Sequence, residues 1–141
     1  MPATNAPASP EWRRFAAGSV ERRMLLAMSA ECGVELRPRP LVLGKNSRIE
    51  AEGIDLDGRI VVQLVANQGA YKPSYRNKVM ADLFKLLWLR SSIPSARRAV
   101  LVVTQVVAQA LGGWVAVAAN DLGIDVYVFD GDRVERLPSE S

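Results

Sequence analysis

Acidic and amide side chains that could do chemistry are concentrated between Arg48 and Ala66. Glu50, Glu52 and Asp55 precede an Asp-Gly pair, and Gln63 follows it inside an apolar run. Carboxylate and carbonyl oxygens are the ligands that Mg²⁺ takes in proteins. A buried amide without a partner costs about 1–3 kcal/mol, so Gln63 needs a hydrogen-bond partner. An exposed position on a strand would leave Glu52 without any such role.

Aromatic and basic residues are interspersed where the chain passes from a loop into a helix. The set consists of Tyr71, Lys72, Tyr75, Arg76 and Lys78. Aromatic rings stack on bases and basic side chains contact phosphates, so this set is a candidate surface for DNA or RNA. An ordinary helix entry, with Lys78, Asp82 and Lys85 on the solvated face of the helix, explains the same pattern without a ligand.

The composition excludes several kinds of chemistry. The chain has no histidine and a single cysteine, Cys32, which excludes the Ser-His-Asp triad, histidine ligands, an internal disulfide and a cysteine-based zinc site. The net charge of +3 fits a nucleic-acid partner, and solvated helix faces account for it equally well. No apolar run approaches the roughly 18–20 residues of a membrane span, and residues 1–10 lack the pattern of a signal peptide. We therefore expect a cytoplasmic protein with no membrane partner.

The apolar pattern predicts one α/β domain over residues 10–137 after a disordered tail at 1–9. Pro38 and Pro40 restrict residues 36–43 to a sheet edge or a loop. The expected elements beyond them are a hairpin, a helix over 74–89, a central strand at 99–103, a helix at 114–121 and a strand at 124–129. This order predicts a mixed β-sheet with flanking helices.

The hairpin is predicted from the Asp57-Gly58 pair between two strand-like runs. A two-residue turn would place Leu56 opposite Arg59, Ile54 opposite Val61, Glu52 opposite Gln63, and Glu50 beside Val65. Directly opposed residues point to the same side of a sheet, so Glu52 is the natural partner of the Gln63 amide.

The predicted order of elements, αβββαβαβ, resembles the core of the PD-(D/E)XK, or restriction-endonuclease-like, superfamily. There the hairpin carries an acid on its first strand and an E-x-K signature on its second. The family's carboxylates hold Mg²⁺, which activates a water and stabilises charge on the scissile phosphate. The resemblance covers about residues 20–129 and rests on element order and hydrophobic pattern.

Carried over residue by residue, the family's hairpin acid falls on Glu52, or on Glu50 or Asp55 if the register shifts. The resemblance therefore implies that Glu52 and Asp55 are candidate metal ligands. The signature acid falls on Gln63 and the signature lysine on Val65. Some members of the superfamily supply the lysine from the following helix instead, and this makes Lys78 a candidate catalytic residue beside Glu52 and Gln63.

The stretch also resembles small uncharacterised members of the superfamily that carry an acid and a histidine where this chain has Gln63 and Asn67. The resemblance thus implies a nuclease-like nucleic-acid-binding protein whose catalytic site is degraded and needs no cofactor. One alternative is an active Mg²⁺-dependent nuclease using Glu52 and Lys78. Another is a protein-interaction or assembly subunit that makes no contact with nucleic acid.

The helix at 74–89 has an apolar arc wide enough that one of its flanks needs a partner besides the sheet. Met80, Phe84 and Trp88 lie at i, i+4 and i+8 on one flank, and Trp12 and Phe15 in an N-terminal helix also need burial. Either the N-terminal helix packs on that flank within a monomer, or two chains share it as a weak homodimer.

Overall fold

The computed structural model describes Trp12 and residues 14–138. The order of elements is α1 (Val20–Cys32), β1 (Arg37–Leu43), β2 (Ser47–Ile54), β3 (Ile60–Val65), α2 (Ser74–Ser92), β4 (Arg98–Thr104), α3 (Gln105–Ala108), a 3₁₀ turn (Gln109–Leu111), α4 (Trp114–Asp121), β5 (Ile124–Phe129) and β6 (Val134–Arg136). The predicted tail at 1–9 lies outside the described residues.

The six strands form one mixed sheet in the order β1-β2-β3-β4-β5-β6. β3, β4 and β5 are parallel, and the outer neighbours β1–β2, β2–β3 and β5–β6 are antiparallel. The predicted mixed α/β architecture is confirmed, and the predicted strand at 99–103 lies at its centre as β4. β6 was missed, because three residues in a polar segment give no periodic signal.

Successive side chains of the central strands point to opposite faces of the sheet, so a hydrophobic core lies on each side of it. Val61 and Val65 face the side covered by α2, α3 and α4, whereas Val62 and Leu64 face the side covered by α1. β4 repeats this alternation and all of its residues after Arg98 are buried. Burial on both faces explains why these parallel strands are almost continuously apolar.

The helix α1 begins and ends at the residues expected from capping chemistry. The Ser19 hydroxyl accepts a hydrogen bond from Arg22 N, and Gly33 closes the helix in the left-handed conformation at φ 73°. The helix lies close to β2 at Gly53, where a Cβ would overlap Leu25 Cδ1. Gly53 therefore sets how near α1 can approach the sheet.

The longest helix, α2, carries five charged side chains along its 19 residues. Within Trp12 and residues 14–138, no helix has both the length and the apolar content needed to cross a bilayer. At the sheet edge, β1 runs through Pro38 and Pro40, and among the described residues it pairs with β2 alone. Proline in an edge strand removes donors that could recruit another strand.

The turn between β2 and β3 is longer than the predicted two residues. β2 ends at Ile54 and β3 begins at Ile60, although the predicted pairing of Ile54 with Val61 is present. The Asp55 carboxylate accepts hydrogen bonds from Arg59 N at 2.7 Å and Ile60 N at 2.9 Å. This side chain closes the turn, so the predicted pair of Leu56 and Arg59 does not form.

The expected intrachain cover of the α2 flank is wrong. Trp12 and Phe15 are buried against α1 and the opposite face of the sheet, with Met24 among their neighbours. The Arg22 guanidinium also lies 4.5 Å above the Trp12 ring. The flank of α2 therefore stays exposed, with Phe84 at 75% of its accessible area.

Candidate functional site

The backbone pairing between β2 and β3 stops after two residue pairs. Beyond them, side chains make hydrogen bonds to the backbone between the two strands. Gly53 pairs with Val62 and Ile54 with Val61. At the next position, Glu52 N donates to Gln63 Oε1 at 3.2 Å. The Glu52 carboxylate in turn accepts from Leu64 N at 2.8 Å. Two side chains thus replace backbone partners where the strands separate.

Gln63 is the centre of this arrangement. It is 1% exposed, and its amide oxygen is used by Glu52 N. Its Nε2 donates to Glu52 Oε1 at 3.2 Å and to Asp82 Oδ1 at 3.3 Å. The expected partnership of Gln63 with Glu52 is confirmed. Asp82 was assigned to the solvated face of the helix, and that assignment is wrong because Gln63 draws it toward the sheet.

Both carboxylates beside Gln63 hold protons more tightly than usual. Burial raises the pKa of Glu52, with the Asp82 charge acting in the same direction and the Leu64 hydrogen bond opposing it. Burial likewise raises the pKa of Asp82, and the Gln63 amide and Lys78 oppose that rise. Perturbed carboxylates in a cleft are typical of functional sites, and buried structural networks also produce them.

Arg14 adds a cation that the sequence analysis did not identify. Its Nη1 lies 2.6 Å from Glu50 Oε1, and its Nη2 lies 3.2 Å from Glu52 Oε2. The neighbouring Phe15 is buried and anchors the segment. Arg14 therefore takes the second oxygen of Glu52. No sequence signal pointed to its contacts with Glu50 and Glu52, because 36 residues separate Arg14 from Glu50 along the chain.

Glu52 and Arg14 line a cleft of about 470 Å³ at the carboxyl end of β3. It is lined by Arg14, Phe15, Ser19, Glu21, Glu52, Leu64, Ala66, Asn67 and Lys78. Lys78, the candidate from the helix, is exposed on the wall of this cleft. Lys78 and Glu52 thus line one cleft, and Gln63 lies directly behind Glu52.

Asp55 lies away from the cleft. It is buried in the turn directly after the last residue of β2, where its carboxylate accepts hydrogen bonds from Arg59 N and Ile60 N. The structure does not bring it together with Glu52, so the candidate pair of metal ligands is not assembled. The position of the signature lysine, Val65, is fully buried in the core on the α2 side of the sheet.

The proposed aromatic and basic surface is mostly dispersed by the fold. Tyr75 is 7% exposed in the core, and Tyr71 packs edge-on against it with ring centroids 5.9 Å apart. The Arg76 guanidinium lies over the Trp114 ring. Base stacking on Tyr75 is therefore excluded by its burial. Of the five residues, Lys72 and Lys78 remain exposed.

The side chains at the cleft do not fit a divalent metal. Gln63 turns its NH₂ group toward Glu52 and Asp82, because its oxygen is bonded to Glu52 N. A cation there would meet an N–H donor in place of an oxygen ligand. Within Trp12 and residues 14–138, no group of three or more acidic or cysteine side chains is placed to hold a metal ion.

Comparisons of the chain with protein-family models, with curated proteins and with solved structures found no match. The relation to the PD-(D/E)XK superfamily is consequently a proposal. The function is inferred from the residues of the cleft.

Proposed function

We propose that this protein binds nucleic acid in the cleft beside Glu52 and does not cleave it. One observation carries the proposal: Arg14 and Lys78 line a cleft in which the Glu52 carboxylate is already bonded within the protein. Glu21 is the other acid of the lining. Arg14 and Lys78 provide positive charge, and Ser19 and Asn67 add neutral polar groups. Contacts from lysine and arginine to phosphates supply most of the affinity of sequence-independent binding.

The lack of cleavage follows from how the carboxylates are used. Glu52 Oε1 accepts from Leu64 N and the Gln63 amide, and Oε2 lies at the Arg14 guanidinium. A metal that binds Glu52 would have to displace these donors and also face the Gln63 NH₂ group. The proposal includes descent from a PD-(D/E)XK-like site in which Gln63 stands at the signature acid.

Charge reversal on the cleft wall tests the binding. Fluorescence anisotropy should follow labelled 20-nucleotide single-stranded DNA, single-stranded RNA and duplex DNA. Lys78→Glu should weaken binding at least tenfold. The matched control is Arg97→Glu, an exposed arginine just before β4 and therefore at the opposite end of the sheet. Its effect should stay below threefold. Equal losses in the two variants would mean that the cleft is not the binding site.

Gel assays in 10 mM Mg²⁺ or Mn²⁺ test the second half of the proposal. All three substrates should remain intact over hours of incubation with stoichiometric protein. Cleavage that disappears in Glu52→Ala would establish the rival function, an active nuclease that uses Glu52 and Lys78.

A further inference from the structure

The outer face of α2 carries a stripe of apolar side chains that the described part of the chain leaves partly exposed. Met80, Phe84 and Trp88 follow one another at i, i+4 and i+8 and are 36%, 75% and 38% exposed. The residues that face the sheet on the same helix, such as Val79 and Leu86, are fully buried. One face of α2 therefore exposes apolar side chains on three consecutive turns, while the face toward the sheet is buried.

The stripe extends onto α4, which runs beside α2 in the same direction. Near their starts, the Arg76 guanidinium lies 5.9 Å from the Trp114 ring centroid. At the other end, Arg90 donates to the carbonyl oxygens of Leu122 and Gly123 at 2.7 and 2.8 Å. Trp114 itself is 61% exposed. We call Met80, Phe84, Trp88 and Trp114 the α2 stripe.

The charges beside the α2 stripe are almost all positive. α2 contributes Arg76, Lys85 and Arg90. Its one acid, Asp82, points to the Gln63 amide on the sheet side. On α4, the one acid is Asp121, which is exposed at the end of the helix opposite Trp114. A partner that covers the stripe would therefore gain from carrying acidic residues.

We propose that the α2 stripe is a docking surface for an acidic amphipathic helical segment of another protein. Phe84 projects from the surface between the less exposed Met80 and Trp88. A helical ligand with apolar side chains at i, i+3, i+4 and i+7 can pack around such a side chain. The Arg76 and Lys85 side chains on either flank fit acidic residues beside that apolar face.

A second copy of the chain fits this surface less well. Two stripes facing each other would bring the basic flanks of both α2 helices together. The area is also small: with aromatic side chains of about 150–250 Å² each, the exposed parts of the stripe sum to only a few hundred Å². A stable dimer buries about 800 Å² on each partner. A single helix is the occupant that such an area can accommodate.

This proposal is independent of the nucleic-acid cleft. The cleft includes Lys78 and Glu52, whereas the α2 stripe points away from the sheet on the outer face of the helix. Loss of one binding activity leaves the other to be measured separately.

The test uses a designed 18-residue helical peptide with leucine at the apolar positions and glutamate at the others. Its fluorescence anisotropy is measured against the full-length protein, and a peptide with lysine in place of glutamate serves as the charge control. The glutamate peptide should bind at least tenfold more tightly than the lysine peptide. Phe84→Ala should weaken its binding at least tenfold. Val42→Ala, a change at a residue 66% exposed on the edge strand β1, should leave it unchanged.

Three results would overturn the proposal. The first is equal binding of the two peptides, or binding that Phe84→Ala does not weaken. The second is a dimer in light scattering that Phe84→Glu dissociates, which would make a second copy the occupant. The third is co-flotation with vesicles of phosphatidylserine and phosphatidylcholine that requires Phe84, which would make an anionic membrane the occupant. Circular dichroism of each variant confirms that an altered signal does not come from unfolding.

Discussion

Replacing Gln63 with glutamate restores the acid of the nuclease signature and should strongly destabilise the protein. The Gln63 Nε2 lies 3.2 Å from Glu52 Oε1 and 3.3 Å from Asp82 Oδ1. An ionised Glu at position 63 would place a third carboxylate oxygen at those distances from two others. At least one of the three groups must then keep a proton at neutral pH.

The loss in the free energy of unfolding can be estimated from the cost of keeping one of the three carboxyls protonated at pH 7. Holding a carboxyl of ordinary pKa, about 4.3, in its neutral form at pH 7 costs at most about 1.36 kcal/mol for each of roughly 2.7 pKa units, or about 4 kcal/mol. The neutral acid also donates one hydrogen bond where the amide donates two. That loss adds about 1 kcal/mol at any pH.

The sign of the pH dependence follows from the raised pKa. A carboxyl whose pKa is higher in the folded state loses its contribution to stability as pH rises through that folded pKa. Gln63→Glu should therefore cost about 4–5 kcal/mol at pH 7 and only about 1–2 kcal/mol at pH 4.5.

Urea denaturation followed by tryptophan fluorescence measures this at both pH values. The control is Gln105→Glu, the same chemical change at an exposed position at the start of α3, with an expected effect within about 0.5 kcal/mol. Addition of 10 mM MgCl₂ should recover part of the stability of Gln63→Glu alone, because three carboxylates can share a cation. A Gln63→Glu variant as stable as wild type at pH 7 without metal would refute the described geometry of the site.

Four further substitutions have defined outcomes in the same denaturation assay. Gly53→Ala should lower the free energy of unfolding by about 1–3 kcal/mol, because the added methyl meets Leu25; an unchanged midpoint would mean that α1 packs farther from the sheet. Trp12→Ala should cost about 3 kcal/mol and Trp88→Ala less than about 1 kcal/mol, since the first is 7% and the second 38% exposed; the reverse order would contradict the packing of the N-terminal segment. Asp82→Asn should stabilise by about 0.5–1 kcal/mol at pH 8 and by less at pH 4, because burial raises the folded-state pKa of this partly screened carboxyl; a larger gain at pH 4 would reverse the assigned direction.

Much of the fold could be predicted because its signals are local. Ser19 and Gly33 mark the ends of α1 through capping chemistry, and the run at 99–103 is apolar enough to require burial on both faces. The turn after β2 was predicted too short because the pattern showed Asp57-Gly58 but not the role of Asp55. That residue bonds the turn through its side chain, and periodicity contains no information on such a contact.

Of the candidate site, the sequence predicted only the contact that follows from the register of the β2–β3 hairpin. Opposed positions in a hairpin point to one side, and this gave the pairing of Glu52 with Gln63. Asp82 and Arg14 reach the same place from a helix and from the N-terminal segment, far away in the sequence. Their contribution depends on how these elements pack on the sheet. The same reason explains why Tyr75 looked available for stacking and is buried instead.

The salt dependence of nucleic-acid binding by the wild-type protein tests the central claim most directly. The affinity for a labelled 20-nucleotide single strand is measured between 25 and 200 mM KCl, together with that of Lys78→Glu. If the two cations that line the cleft, Arg14 and Lys78, contact phosphates, the logarithm of the association constant should fall against the logarithm of salt with a slope of about −1.4, and Lys78→Glu should make that slope shallower by about 0.7. Binding that does not change with salt, or a slope that Lys78→Glu leaves unaltered, would contradict a phosphate-binding cleft beside Glu52.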